Sequence, residues 1–300
     1  MGRRHANGAR GRTHVDRLPR PRKTRKFHIR LHAARGDDER HDRGRVCRSR
    51  TDGWGLTTIS LRRALSTPSG KSRYVRRLFS RIADRYDLIT VVLSYGLDRR
   101  WKRRLIGMAG LHRGARVLDL ATGTGDLAFL ASAEGKTVVG LDITRRMLEL
   151  AAAKHAGSGG PRFIQGDMMA LPFCAASFDV VTTGYGIRNV PELTPAIDEI
   201  ARVLRPGGRF LSLDFDRPDN RVVRAVYFSY LTVVGSILGL LLHGDPDTYR
   251  YIPQSLRTYP GSREVGRMLK ARGFDWLVVL PVLGGLLAMH SAQKAEDGNR

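Results

Sequence analysis

Cysteine is almost absent from this 300-residue sequence: Cys47 and Cys174 lie far apart and in no metal-spaced cluster. That excludes a disulfide framework, gives no metal site, and fits a reducing, cytosol-like compartment. Acidic residues are also scarce, 28 Asp+Glu against 52 Lys+Arg, for a formal charge of +24. No apolar h-region marks the N-terminus, so no secretory signal is read there. Long apolar runs are nearly missing too. The exception is "AVYFSYLTVVGSILGLLL", residues 225–242. It is at the short end of what a bilayer requires and carries glycine, serine and threonine, so we read it as something other than a span.

The basic excess is unevenly placed. Residues 1–113 hold 31 Lys+Arg and 9 Asp+Glu, whereas residues 114–300 hold 21 and 19. The C-terminal part therefore reads as a near-neutral globular domain. Residues 1–55 are rich in Arg, His and Gly and have no apolar period, so they cannot offset the entropy of ordering and read as disordered. A polyanion-binding arm and a transit peptide are alternatives, although "GDDERHD" breaks the acid-poor pattern of the latter. The favoured expectation is a start codon placed too early, with a native chain that begins later.

From Ser72 onward, Val75, Leu78, Phe79, Ile82 and Tyr86 recur at helical spacing, predicting an amphipathic helix. Asp98 is expected to cap a second helix. After Gly114 strands and helices alternate: "ARVLDLA", "TVVGLD", "PRFIQGD", "SFDVVTTG" and "PGGRFLSLDF" as strands, with helical runs between the first, second, fourth and fifth. That alternation predicts a parallel, doubly wound α/β sheet. Residues 219–262 interrupt it, and two closing strands are expected around Gly284 and Gly285.

In such a sheet ligands sit beyond the carboxyl ends of the strands. That rim holds Asp119 to Asp126, Asp142, Asp167 and the stretch from Gly184 to Asn189. Gly123, Gly125 and Ala128 loosely satisfy a dinucleotide fingerprint. Asp142 ends the second strand, where a carboxylate accepts both ribose hydroxyls of NAD or of S-adenosylmethionine. Asp119 separates the two ligands. A carboxylate there repels a pyrophosphate and attracts the ammonium and sulfonium of S-adenosylmethionine. Asp126 adds negative charge where phosphates would need helix N–H groups, unless it merely caps that helix.

Several stretches resemble the UbiE-type ubiquinone/menaquinone biosynthesis C-methyltransferases. They are "FSRIADRYDLITVVLSYGLDRRWKR", "VLDLATGTGDLA", "LPFCAASFDVVTTGYGIRNV", "RVLRPGGRFLSLDF" and "YRYIPQSLRTYPG". The resemblance runs from about Tyr74 to Lys294. It implies a class I methyltransferase fold: a tail over 1–70, N-terminal helices over 71–113, a catalytic domain over 114–294 with an inserted lid over 219–262, and a short tail after 294. It also implies S-adenosylmethionine as donor and a prenylated hydroquinone as acceptor. By position, cofactor contacts carry over to Thr124, Asp142, Asp167, Met168 and Gly184, with Asp119, Gly123 and Gly125 shaping the first loop. Gly184 stands where a serine is common, Tyr259 where a histidine is, and Asp214 where a glutamate is.

The reaction implied is methyl transfer to a ring carbon of a quinol, demethylmenaquinol in preference to a 2-polyprenyl-6-methoxy-1,4-benzoquinol. Phenols ionise near pH ~10, so the site must favour the phenolate. Arg188 is the first candidate to hold the oxyanion. Tyr86 and Tyr251 are candidates to orient the ring or relay a proton. No residue stands out as a base, and His290 reads as structural. Arg99, Arg100, Lys102, Arg103 and Arg104 are expected to dock on anionic lipid, at the inner face of the membrane. A second copy of the chain or a quinone-biosynthesis complex is compatible with this reading. Nucleic acid is not expected as a partner: the Pro-Pro-aromatic motif of amino-directed enzymes is missing after the fourth strand, and Cys174 lies in no Pro-Cys motif.

Overall fold

Short runs rich in Val, Leu and Phe become seven strands: β1 (Arg116–Leu120), β2 (Thr137–Asp142), β3 (Arg162–Gln165), β4 (Phe178–Gly184), β5 (Leu204–Phe215), β6 (Phe274–Val282) and β7 (Leu287–Lys294). These come from a computed structural model that describes residues 66–133, 137–154 and 159–296. Expectations for residues 1–65 and for the end of the chain after 296 lie outside the described residues. The strands form one sheet in the order β3-β2-β1-β4-β5-β7-β6. β1 to β5 are parallel, as expected. β7 runs antiparallel to both β5 and β6, because a tight turn at Leu283–Gly285 sends the chain straight back.

Alternation along the central strands divides the core in two. Val117 of β1 and Leu211 and Leu213 of β5 face one layer, which also holds Ile82, Leu105, Leu127 and Leu231. Leu118, Leu120 and Phe210 face the other, packed with Ile197, Ile200, Val265 and Leu269. A strand buried on both faces reads as a continuous apolar run, which is why "VLDL" shows no polar alternation beyond Asp119.

The described helices are α1 (Pro68–Ile82), α2 (Tyr86–Leu93), α3 (Asp98–Met108), α4 (Asp126–Ser132), α5 (Arg145–Ala153), α6 (Leu193–Val203), α7 (Arg221–His243), α8 (Tyr251–Thr258) and α9 (Ser262–Lys270). Two local expectations are corrected. The periodic stretch from Val75 to Tyr86 is not one helix but two, separated by a tighter turn at Ala83–Arg85. Carboxylates beside that turn tie it down: Asp84 to Arg146 at 2.5 Å, and Asp87 to the Thr124 hydroxyl and to Lys154, each at 2.6 Å. Asp98 does not cap α3. The capping position is Leu97, and the buried Asp98 carboxylate pairs with Lys102 one turn on, at 2.7 Å.

The insertion folds as α7 and α8. Asn220 caps α7 by accepting from the N–H groups of Val222 and Val223, and Gly244 ends it in the left-handed conformation that glycine tolerates best. α7 is long and apolar enough to cross a bilayer by length and composition. One stripe of it, Tyr227, Leu231, Gly235 and Gly239, is nevertheless buried against the rest of the chain.

Candidate active site

The carboxyl ends of β1, β2 and β4 open onto a cavity of about 670 Å3, mouth included. Asp142, Asp167, Met168, Gly184 and Gly123 all line it, as the sequence led us to expect, together with Tyr86. Its lining holds two carboxylates and, among the described residues, no lysine or arginine. Two carboxylates with no nearby cation repel a pyrophosphate and suit a positively charged ligand.

Asp142 is fixed by two backbone donors. One carboxylate oxygen accepts the N–H of Gly123 at 2.9 Å, and the other accepts the N–H of Thr144 at 2.8 Å. Each oxygen keeps a lone pair for a ligand hydroxyl. Burial pushes this carboxyl above its ordinary range, and the two backbone donors pull it back down. Gly123 adopts φ 55°, and Gly186 could carry no side chain, since a Cβ there would stand 2.6 Å from Ala121 Cβ and from Thr183 Oγ1. Asp167 accepts the N–H of Met169 at 2.9 Å, which fixes it on the rim.

Four residues of the first strand end and its loop, Asp119, Thr124, Gly125 and Asp126, do not line this cavity. Asp119 is 1% exposed and does not reach the cavity: its oxygens accept the hydroxyls of Thr122 and Thr182 at 2.6 and 2.8 Å. Burial pushes its carboxyl up to about 6, despite those two hydrogen bonds. Thr124 spends its hydroxyl on Asp87. Gly125 is packed against Phe129 and Phe163, in left-handed backbone at φ 89°. Asp126 supplies no free negative charge, since Lys102 and Lys154 pair with it at 2.8 and 3.2 Å. Burial works against the Asp126 anion, but the two lysines outweigh it and hold the carboxyl below its ordinary range. The acidic character of the rim therefore reduces to Asp142 and Asp167.

A second, more apolar chamber lies beside the first. Leu78, Phe79, Ile82, Ile89, Leu93 and Phe215 form much of its wall, and Arg188, Tyr249, Tyr251 and Thr248 add polar atoms. Phe79, Tyr86 and Tyr185 line both spaces and so form their boundary. Arg188 sits in a short helical turn, Ile187–Asn189, and is buried. Its guanidinium Nε is 3.0 Å from Asp214 Oδ1, although the N–H is not aligned on that oxygen, and its plane lies 5.0 Å from the Phe215 ring centre. Asp214 thus acquires a clear partner. A guanidinium backed by a carboxylate in an apolar chamber is held in place while its remaining N–H groups can meet an anion.

Tyr251 is 1% exposed, and its hydroxyl has no hydrogen-bond partner among the described residues. Burial raises it above its ordinary range. Burial likewise pushes Tyr86 up to about 12, against the opposing charges of Lys102 and Arg188. Both phenols therefore stay protonated near neutral pH and keep an O–H to donate. His290 is structural, as expected: Nδ1 meets the Ser212 hydroxyl and Nε2 the Ser262 carbonyl, each at 2.8 Å. Tyr185 was missed. Its signal was available, an aromatic residue between two glycines at the carboxyl end of a strand.

Solved structures with the same fold include a methyltransferase from Thermotoga maritima described as a possible histamine N-methyltransferase. It covers 73% of this chain and 99% of its own, at 17% identity and a TM-score of 0.53. A putative S-adenosylmethionine-dependent methyltransferase from Methanococcus maripaludis covers 74% and 95%, at 18% identity and a TM-score of 0.52. At such identities the likeness establishes the fold alone. Sequence relatives are nearer. A demethylmenaquinone methyltransferase from Thermus thermophilus is 42% identical over 201 residues, 66% of this chain and 91% of its own. A ubiquinone/menaquinone biosynthesis C-methyltransferase UbiE from Azotobacter vinelandii is 38% identical over 232 residues, 75% and 92% of the two chains. Residues 67–294 match one family model from end to end of the described fold, and by that match and those relatives the chain belongs to the ubiE/COQ5 methyltransferase family.

Proposed function

We propose that this chain methylates a ring carbon of a prenylated hydroquinone with S-adenosylmethionine as donor, converting demethylmenaquinol to menaquinol. The observation that carries the reading is the pair of adjoining spaces, one lined by carboxylates without a cation and one apolar with a buried arginine, meeting at Phe79, Tyr86 and Tyr185. When bound, S-adenosylmethionine supplies an electrophilic methyl group. Asp142 would hold its ribose, Asp167 and Met168 its adenine, and the backbone of Gly123 and Gly184 its remaining length. Asp119, Thr124 and Gly125 serve one step back, by fixing the first loop through Thr122, Asp87 and Phe129.

We assign the quinol ring to the second chamber, whose apolar wall and buried arginine suit it. Arg188 faces the oxygen that becomes negative as the ring carbon turns nucleophilic, a charge-assisted contact in a place of low dielectric. Tyr86 and Tyr251 orient the ring by donating from phenols that burial keeps protonated. The apolar wall excludes water, which strengthens each of these contacts. α7 packs on α8, which supplies Tyr251 and Ile252 to this chamber, and its exposed apolar face suits a prenyl tail at a bilayer surface.

Calorimetric titration tests the donor half. We expect micromolar binding of S-adenosylmethionine, no binding of NAD, and at least a hundredfold loss of affinity in Asp142→Ala. Incubation with demethylmenaquinol and, separately, with the methoxybenzoquinol precursor tests the acceptor half: methylated naphthoquinol is expected. Tight NAD binding, or transfer to neither ring, would overturn the reading.

A further inference from the structure

Methylating a quinol carbon calls for a base for the ring hydroxyl, and among the described residues no carboxylate or imidazole lines the second chamber directly. Tyr185 stands between that chamber and a buried carboxylate. It follows Gly184 at the end of β4 with φ 59°, in the left-handed region that non-glycine residues avoid. Two hydrogen bonds hold it there: its N–H donates to the Leu213 carbonyl at 2.7 Å, and its carbonyl accepts from Asn189 Nδ2 at 2.8 Å. The ring is 4% exposed and lines both spaces at their boundary. No described group makes an aligned hydrogen bond with its hydroxyl.

Behind it stands Asp98, 2% exposed, whose Oδ1 is likewise without an aligned partner. Burial holds the Tyr185 phenol well above its ordinary range, and the neighbouring Asp98 carboxylate raises it further, so the phenol stays protonated beside that oxygen. Its other oxygen is 2.7 Å from Lys102, which also contacts Asp126 at 2.8 Å and lies 5.8 Å from the Tyr185 ring centre. Burial disfavours the Lys102 cation, but Asp126 and Asp98 outweigh that and keep it charged. The Tyr185 phenol and Asp98 Oδ1 are buried together, and neither has another hydrogen-bond partner among the described residues.

Resting on the quinol reading above, we propose that Tyr185 and Asp98 form a proton relay out of the acceptor chamber. The acceptor hydroxyl gives its proton to the Tyr185 oxygen as Tyr185 gives its own to Asp98 Oδ1. The acceptor oxygen keeps the bonding pair and becomes an anion beside Arg188, while Asp98 becomes neutral. One proton moves and net charge is conserved. Lys102 does not lose all compensation at that moment, because Asp126 still faces it. As the methylated ring loses its carbon-bound proton to water and regains aromaticity, the acceptor oxygen takes its proton back along the same path, which resets the pair and releases one proton per methyl transferred. Tyr185 is thus a catalytic residue, and Asp98 acts through it.

The test uses the full chain and 4-methoxy-1-naphthol, a single-hydroxyl analogue that cannot be oxidised to a quinone without losing its ether. Absorbance against pH, with no methyl donor present, reads ionisation of the bound naphthol directly. Wild type should ionise it at least tenfold more readily than water does. Tyr185→Phe and Asp98→Asn should each remove most of that gain. With demethylmenaquinol and donor, Tyr185→Phe should lose about 10²–10⁴-fold in kcat at neutral pH and recover as pH rises, the size expected for a lost proton path. Circular dichroism should show both variants folded. Variants that ionise the bound naphthol like wild type and keep its pH profile would overturn the relay and leave the function standing. Wild-type protein that neither binds the naphthol nor methylates the quinol would overturn both.

Discussion

Asp119 shows how far a single residue can be read from its place in a motif. Its position before the glycine turn is where a donor's positive end was expected, yet the side chain is buried beneath the loop and spent on Thr122 and Thr182. The consequence is a pH signature. Its carboxyl is raised to about 6 from 3.8, so the native state binds more protons than the unfolded chain between those values. Stability from this group is therefore greatest at low pH and falls as pH rises through about 4 to 6. Asp119→Asn removes the slope. The difference in unfolding free energy, variant minus wild type, should grow by about 2–3 kcal/mol between pH 4 and 6.5, measured by denaturant titration at both values. A constant difference would mean that Asp119 ionises normally. Residue types on the rim were legible because strand-end carboxylates and glycines carry fixed offsets. Asp142, Asp167, Met168 and Gly184 accordingly line the cavity. Which carboxylates are already neutralised was not legible: the partners of Asp126 are Lys102 and Lys154, 24 residues before and 28 after it.

At the scale of elements, the alternation of strands and helices from Gly114 was legible because a parallel strand covered on both faces is a short apolar run with a defined stop. The break between α1 and α2 was not, since no proline or glycine marks it and its cause is tertiary: Asp84 and Asp87 are held by Arg146, Thr124 and Lys154. The insertion was legible as an apolar stretch, but its packing depends on glycines whose role only a neighbour reveals. A Cβ at Gly239 in α7 would stand 2.5 Å from the Asp245 carbonyl oxygen and 3.2 Å from Pro246 Cα, both backbone atoms that cannot rotate away. A Cβ at Gly107 in α3 would meet nothing within 4 Å. Gly239→Ala should therefore destabilise by about 1 kcal/mol, the overpacking cost exceeding the helical gain. Gly107→Ala should stabilise by about 0.5 kcal/mol. Thermal unfolding of the two variants checks the contrast, and equal shifts would show that α7 does not rest on the Asp245–Pro246 turn.

For the molecule as a whole, the question is what meets its apolar side. Val222, Val226, Val233, Ile237, Leu240 and Leu241 form an exposed stripe along α7, and Leu88, Val91 and Val92 an exposed patch on α2. Tyr95, just past α2, stacks on Tyr230 of α7 with ring centres 5.4 Å apart, so the two apolar faces adjoin. Arg99 and Arg100 follow within five residues, and Arg103 and Arg104 share the same helix, all exposed. Lys102, expected to join them, is corrected out of this group: it is 6% exposed and committed to Asp98 and Asp126. Four arginines beside an apolar stripe match an anionic bilayer, which is also where a prenylated acceptor resides. At about 1 kcal/mol each near such a surface, they supply binding that salt should weaken. Sedimentation with vesicles should show at least tenfold stronger binding at 30 mol% anionic lipid than in neutral lipid. Replacing Arg99 and Arg103 by glutamate should abolish that preference. Replacing Val226 and Leu241 by aspartate should weaken binding to both kinds of vesicle, because it acts on the apolar contact common to them. Binding that ignores lipid charge, or that survives both pairs of substitutions, would mean that this face meets something other than a membrane.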